Sequence, residues 1–416
     1  MSSVEIPPIL GLHAIEDYYP LIGPAAVERI RRKAAALEGR HITHISSTHY
    51  GGGVAEILSP LTLLMNECGI PTDWYVIQGH PDFFRVTKAI HNGLQGADAS
   101  LLPEDKAIYE EVARENSVRM HIDHDLVVIH DPQPLPLIDY ITENVPALWC
   151  CHVDLSEPNP DVWNYLAGFV ERFDGAIFSL PEYARELKAP QHFIMPAINP
   201  FALTNQELSE QEIDDCISRY DIPLDLPLIL QVSRFDSWKD PLGVIEAFRL
   251  AQRETDCRLV LLGNDATDDP EGHEMYELCC RSRNDRIYVL SVNDAHLVNA
   301  LQRRAAVTVQ KSLREGFGLT VTEAMWKGSP VVGGNVGGIR HQIEDGRNGF
   351  LVESTEQTAD RIVALLKDEP LRRRMGRTAR ETVREQFLLT RLLEDWLDLM
   401  SDQLLLGGVV KTVCRS

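Results

Sequence analysis

Arg314-Glu315-Gly316-Phe317-Gly318-Leu319-Thr320-Val321-Thr322-Glu323-Ala324-Met325 carries two carboxylates eight residues apart across a glycine-bearing turn that opens a helix. Upstream, the apolar run 228–232 ends in Ser233-Arg234-Phe235-Asp236-Ser237-Trp238-Lys239-Asp240-Pro241. That places two cations at the end of a strand, where α/β proteins bind ligands. Around these stretches, short apolar runs alternate with longer amphipathic segments, the pattern of βαβ units and parallel sheets. Strands are expected near 41–46, 73–77, 126–130, 147–152, 176–179 and 192–195, then near 228–232, 258–262, 287–290, 307–310, 330–333 and 349–352. The break Pro196-Ala197-Ile198-Asn199-Pro200 divides the two series. The expected fold class is therefore α/β, with a first domain at 1–198 and a second at 199–387. The segment 388–416 contains apolar residues at helical spacing, and is expected either to pack back on the first domain or to end the second as an ordinary terminal helix.

With 416 residues, 44% of them hydrophobic, the chain is long enough for more than one core. A formal net charge of -22 opposes nucleic-acid binding and attraction to an anionic membrane, leaving a small polar substrate as the better fit. The first twenty residues lack the pattern of a secretory signal, and no apolar window is long enough to span a bilayer, so a cytoplasmic location is expected. The eight cysteines form no CxxC or Cys/His array of the kind that binds structural zinc, and are expected to be reduced thiols. No DxD-type motif stands near the expected phosphate site. No tightly bound cofactor or metal is expected, and Mg2+ is left at most a stimulatory role on the substrate. Asp268-Asp269 reads as a solvated acidic loop.

Chemistry concentrates at the strand ends. Tyr50-Gly51-Gly52-Gly53 follows the first strand and opens a helix, reading either as a tight turn or as a backbone approach to an anion. It does not fit a nicotinamide fingerprint, because the GxGxxG order is not met. Arg234 and Lys239 can stabilise a leaving diphosphate or be surface cations. Glu315, in a loop, can accept from sugar hydroxyls, and Glu323, one turn into the helix, can hold both hydroxyls of a ribose. The N–H groups at Gly318, Leu319 and Thr320 are open to an oxygen ligand. His130-Asp131-Pro132-Gln133 and Cys151-His152-Val153-Asp154 also follow apolar strands and can meet an acceptor, although a lone histidine is more often structural. Carboxylates with cations suggest a nucleotide sugar, with a glycosidase-like acid/base pair as an alternative.

Taken together, these residues resemble the retaining glycosyltransferases of family 4, which have the GT-B architecture of two Rossmann-like, doubly wound domains facing a cleft. Glu315 and Glu323 match that family's E-x7-E motif. Ser47 to Glu56, Val86 to Asn92, His130 to Gln133 and Ser233 to Asp236 are similar to the group that makes trehalose from a nucleotide diphosphate glucose and free glucose. The resemblance implies that Arg234 and Lys239 hold the donor diphosphate, Glu315 the transferred glucose and Glu323 the ribose. Gly52, Gly53 and the run Gly316, Phe317, Gly318, Leu319 and Thr320 then line the donor site. Tyr50, Asp131, Gln133, His152 and Asp154 line the acceptor side, with His152 beside the reacting sugar. The implied partners are UDP-glucose or ADP-glucose and glucose, and a homodimer is suggested by the resemblance alone. A phosphorylase using glucose 1-phosphate and a noncatalytic nucleotide-sugar sensor remain as alternatives.

Overall fold

The computed structural model describes residues 13–50, 52–120, 122, 124–263 and 270–406. Gly51, the acidic stretch at 264–269 with Asp268 and Asp269, and the terminal 407–416 lie outside the described residues.

One unit runs to Ala197 and resumes at Leu389; the other is Ile198–Leu388. The first contains β1 (Ile42–Ser46), β2 (Thr72–Val76), β3 (Leu126–His130), β4 (Ala147–Cys151), β5 (Gly175–Phe178) and β6 (Gln191–Phe193). They form one parallel sheet in the order β2-β1-β3-β4-β5-β6. The second unit contains β7 (Leu228–Val232), β8 (Arg258–Gly263), β9 (Ile287–Ser291), β10 (Val307–Gln310), β11 (Val331–Gly334) and β12 (Gly349–Val352). Its parallel sheet has the order β12-β11-β10-β7-β8-β9. Counted within this unit, that is the Rossmann order 3-2-1-4-5-6 read from one edge.

β1, β3, β4, β7 and β8 are buried along their whole lengths, as expected for parallel strands covered by helices on both faces. Each sheet reverses its winding at one point: between β1 and β3 in the first unit, and between β7 and β10 in the second. In doubly wound sheets ligands bind outside the carboxyl ends of the strands at such a switch point.

The helix Leu389–Ser401 belongs to the first unit. Its apolar face buries Leu392, Leu393, Trp396 and Leu397, while its polar face is tied to the helix Pro24–Ala35. Arg29 Nε meets Glu394 at 2.6 Å, and Lys33 Nζ meets the same carboxylate at 2.8 Å. Arg391 Nη2 donates to the carbonyls of Met195 and Pro196 at 2.7 and 3.0 Å, fastening the returning helix to the end of the first series. Among the described residues, no helix is long and apolar enough to cross a membrane.

Candidate active site

In the second unit, the loops after β7 and β10 meet at the switch point. Gln231, buried at the end of β7, donates through Nε2 to the Lys239 carbonyl at 2.9 Å, and Leu313 N–H donates to the Trp238 carbonyl at 2.7 Å. Asp236 caps the short turn Ser237–Lys239 by accepting from Trp238 N–H. These bonds set the Lys239 side chain against Glu315, where Nζ reaches both carboxylate oxygens at 2.7 and 2.6 Å. Ser312 Oγ donates to the same carboxylate at 3.1 Å. Arg234 stands on the same loop with about half of its side chain exposed and touches Asp236 at 3.2 Å, which leaves it reach for an anion.

Gly318 is the N-cap of the helix Leu319–Trp326, at φ 89°, and supplies no side-chain acceptor. The N–H groups of the first turn, at Leu319 and Thr320, are therefore open to an oxygen ligand. The turn is pinned from behind by Gln342 Nε2, which donates to the Phe317 carbonyl at 2.7 Å. Phe317 itself is buried, with its ring 5.8 Å from that of Phe387. A Cβ at Gly338 would come within 2.4 Å of Phe317 Cα, so the glycine is needed for this close packing. Any contribution of Phe317 or Gly316 to a ligand is thus one of backbone placement.

Glu323 lies on the same helix and is only 6% exposed. One turn later, the buried Lys327 Nζ donates to Asn205 Oδ1 at 2.8 Å, Gln302 Oε1 at 2.6 Å and the Glu323 carbonyl at 3.3 Å. Burial pushes its ammonium down to about 7, against the opposing pull of the Glu323 carboxylate. The spacing of the E-x7-E motif gave no sign of this support. Lys327→Met strands two buried amide oxygens, and is expected to lower stability by about 3 kcal/mol, read as a fall in the urea midpoint.

In the first unit, the loops after β1, β3 and β4 carry the remaining candidates. Gly52, at φ 86°, is the N-cap of the helix Gly53–Glu67, again without a side-chain cap. Tyr50 is 65% exposed, and its backbone is looped onto Thr48. Asp131 adopts φ 64°, a left-handed conformation uncommon outside glycine. Its Oδ1 accepts the backbone N–H of His152 at 2.7 Å, and its own N–H donates to the Cys150 carbonyl at 2.8 Å. Burial raises the Asp131 carboxyl, opposed by His152. Gln133 Oε1 is buried with no partner, an acceptor that a ligand could satisfy. Asp154 is buried, and its Oδ1 accepts from Ser156 N–H at 2.8 Å and Ser156 Oγ at 2.6 Å, so that oxygen is occupied in shaping the loop.

A row of imidazoles crosses the strand ends. His44 Nδ1 lies 2.8 Å from His130 Nε2, and His130 Nδ1 lies 3.0 Å from His152 Nε2. The Trp396 ring packs edge-on against His44 at 5.5 Å. Each imidazole is thus oriented by the next. Burial pushes His44 down to about 3 and lowers both His130 and His152. A folded chain with neutral His44 faces an unfolded chain that takes up a proton as pH falls below about 6.5. Stability is therefore expected to drop as pH falls from about 6.5 toward 3, and less steeply in His44→Gln, measured as Tm against pH. The chain of three histidines was missed in the sequence because its members come from β1, from β3 and from the loop after β4.

Comparison with known proteins bears on this arrangement. Residues 44–185 match the family model for the trehalose synthase N-terminal domain, and residues 213–382 match that for glycosyl transferases group 1. A trehalose synthase of Pyrococcus horikoshii is 44% identical over 408 residues, covering 96% of this chain and 98% of that protein. An α,α-trehalose-phosphate synthase (UDP-forming) from Burkholderia vietnamiensis superposes with a TM-score of 0.68 at 17% identity, over 89% of this chain and 99% of the other. Anabaena Alr3699/HepE, solved in complex with UDP and glucose, superposes with a TM-score of 0.67 at 16% identity, over 87% of this chain and all of the other (100%). The two structures share the GT-B fold with this chain. With two Rossmann-like sheets, both family models and a near full-length relative in agreement, the chain belongs to the trehalose synthase family of GT-B glycosyltransferases.

Proposed function

We propose that this protein transfers glucose from a nucleoside diphosphate glucose to the anomeric hydroxyl of free glucose, with retention, giving α,α-trehalose. The observation that carries the reading is the Lys239–Glu315 pair at the switch point of the second sheet, a cation and a carboxylate held side by side at 2.6 Å. The names of the relatives support trehalose chemistry, and the neighbour with UDP and glucose supports a nucleotide-sugar donor for this fold.

In this reading the Lys239 ammonium turns from Glu315 to the donor diphosphate and is joined there by Arg234. Glu315, released, accepts from the hydroxyls of the transferred glucose. Glu323 holds the ribose, and the N–H groups at Leu319 and Thr320 receive a phosphate or sugar oxygen. As the bond from the sugar C1 to the diphosphate oxygen breaks, negative charge grows on the leaving group, where the two cations stabilise it. The acceptor hydroxyl attacks C1 from the same face, and its proton passes to the departing diphosphate. On the acceptor side, His152 orients the sugar, held in place by the Asp131 carboxylate and by the row of histidines behind it. Magnesium, where it assists, travels with the substrate diphosphate, and no protein ligand is assigned to it.

The test is glucose-dependent release of nucleoside diphosphate from UDP-glucose and ADP-glucose, run beside glucose 1-phosphate. Release that requires glucose supports the reading. Turnover with glucose 1-phosphate alone selects a phosphorylase, and tight nucleotide-sugar binding without turnover selects a sensor.

A further inference from the structure

We propose that His130 Nδ1, Cys150 Sγ and His152 Nε2 form a binding site for a thiophilic divalent metal ion of the zinc type. The three atoms lie within 4.8 Å of one another, on the adjacent strands β3 and β4 and the loop that leaves β4. His130 and Cys150 are paired in register, which brings their side chains to the same level of the sheet. His130 Nδ1 and His152 Nε2 are 3.0 Å apart, and Cys150 Sγ is 3.4 Å from His152 Nε2. Tetrahedral zinc with Zn–N of about 2.05 Å and Zn–S of about 2.3 Å separates its ligand atoms by about 3.3 to 3.6 Å; the two pairs at 3.0 and 3.4 Å need to open by only a few tenths of an ångström, and the third, His130 Nδ1 to Cys150 Sγ, starts within 4.8 Å. Two imidazoles and a thiolate are a donor set that suits zinc and its neighbours better than magnesium or calcium.

The surroundings complete the site. The ring nitrogen of His130 that faces away from the cluster is bonded to His44 Nδ1 at 2.8 Å, the arrangement that fixes the tautomer of a metal-ligating histidine. With His130 Nε2–H donating to His44 and the His152 proton on Nδ1, both inward-facing nitrogens present lone pairs. The Cys150 thiol loses its proton to solvent as the ion binds, which leaves one positive charge from a divalent ion and one thiolate. The Asp131 carboxylate, bonded to His152 N–H, stands beside the cluster as counter-charge. A narrow cavity bordered by His130, Cys150, His152, Leu61 and Trp396 adjoins the three donors, with room for about one water-sized atom. An ion here takes the ring of His152 away from any sugar, so occupancy is inhibitory; this consequence rests on the function proposed above, whereas the binding itself does not.

The experiment titrates the full-length protein with Co2+ and follows the sulfur-to-cobalt charge-transfer absorption, then measures turnover against Zn2+ with and without a chelator. Wild type is expected to show the band at one Co2+ per chain and at least a tenfold loss of turnover with Zn2+, restored by chelation. Cys150→Ser is expected to lack the band and lose less than twofold. His41→Ala, which dismantles the sulfur-free group His41, Asp73 and His124, is expected to keep both signals. Absence of the band in wild type, or equal Zn2+ inhibition in Cys150→Ser, overturns the proposal. The absorption needs no turnover, so a failed metal site and a failed functional reading are told apart.

Discussion

Lys239→Ala is expected to lower kcat by about a thousandfold in a chain that still folds, the range seen when one preorganised donor to developing negative charge is removed. The side chain is 16% exposed and makes two short contacts to Glu315, so it is already placed before any donor arrives. In the proposed reading its loss has two consequences: the diphosphate loses a cation, and Glu315 loses its lysine partner while Ser312 Oγ still donates to it. The double variant separates them. If Lys239 acts only by pairing with Glu315, Lys239→Ala adds little in a Glu315→Gln background; if it acts on the diphosphate, most of the loss persists. Circular dichroism and Tm on the same samples check the fold.

Glu315→Gln is expected to lower kcat by about a hundredfold or more while affinity for free nucleoside diphosphate changes less than threefold. The amide keeps the shape and one acceptor, but removes the charge that pairs with Lys239 and, in the proposed reading, accepts from sugar hydroxyls. In the proposed reading the nucleotide depends on Glu323 and on the cations, so the loss falls on the step in which the sugar moves. Calorimetry with UDP and ADP beside steady-state kinetics makes the comparison. A large loss of nucleotide affinity with unchanged kcat would instead place Glu315 on the nucleotide.

The fold was legible because parallel, doubly covered strands must be almost uniformly apolar. The runs 126–130, 228–232, 307–310 and 349–352 are found as β3, β7, β10 and β12 at the expected bounds. The remaining strands shift by one or two residues, as at β6, where the extended run 192–195 pairs only as Gln191–Phe193. Residues at strand ends were legible as candidates for the same reason: polar residues that directly follow a buried strand mark its carboxyl end. What the sequence could not reveal is which loops meet. Lys239 and Glu315 are 76 residues apart and come together only because β7 and β10 are neighbours at the switch point. His44, His130 and His152 meet because β1, β3 and β4 are consecutive in the sheet, an order that periodicity does not encode.

Some candidates also changed character once placed. Phe317 sits in the glycine-bearing stretch between Glu315 and Glu323 and was a donor-site candidate, yet its ring packs into the core, leaving only its backbone to meet a ligand. Asp154 follows β4 as an acceptor candidate, yet one carboxylate oxygen closes a turn on Ser156. Lys327 had no signal beyond being a lysine at a helix end. Only its three buried acceptors show that it braces the helix carrying Glu323.

The most direct measurement is proton NMR of the disaccharide formed from nucleoside diphosphate glucose labelled with carbon-13 at C1 and unlabelled glucose. The proposed chemistry predicts a 1,1-linked product with both anomeric centres α and the label in one ring only. A β configuration at the labelled carbon, a different linkage, or no disaccharide from either UDP-glucose or ADP-glucose would contradict it.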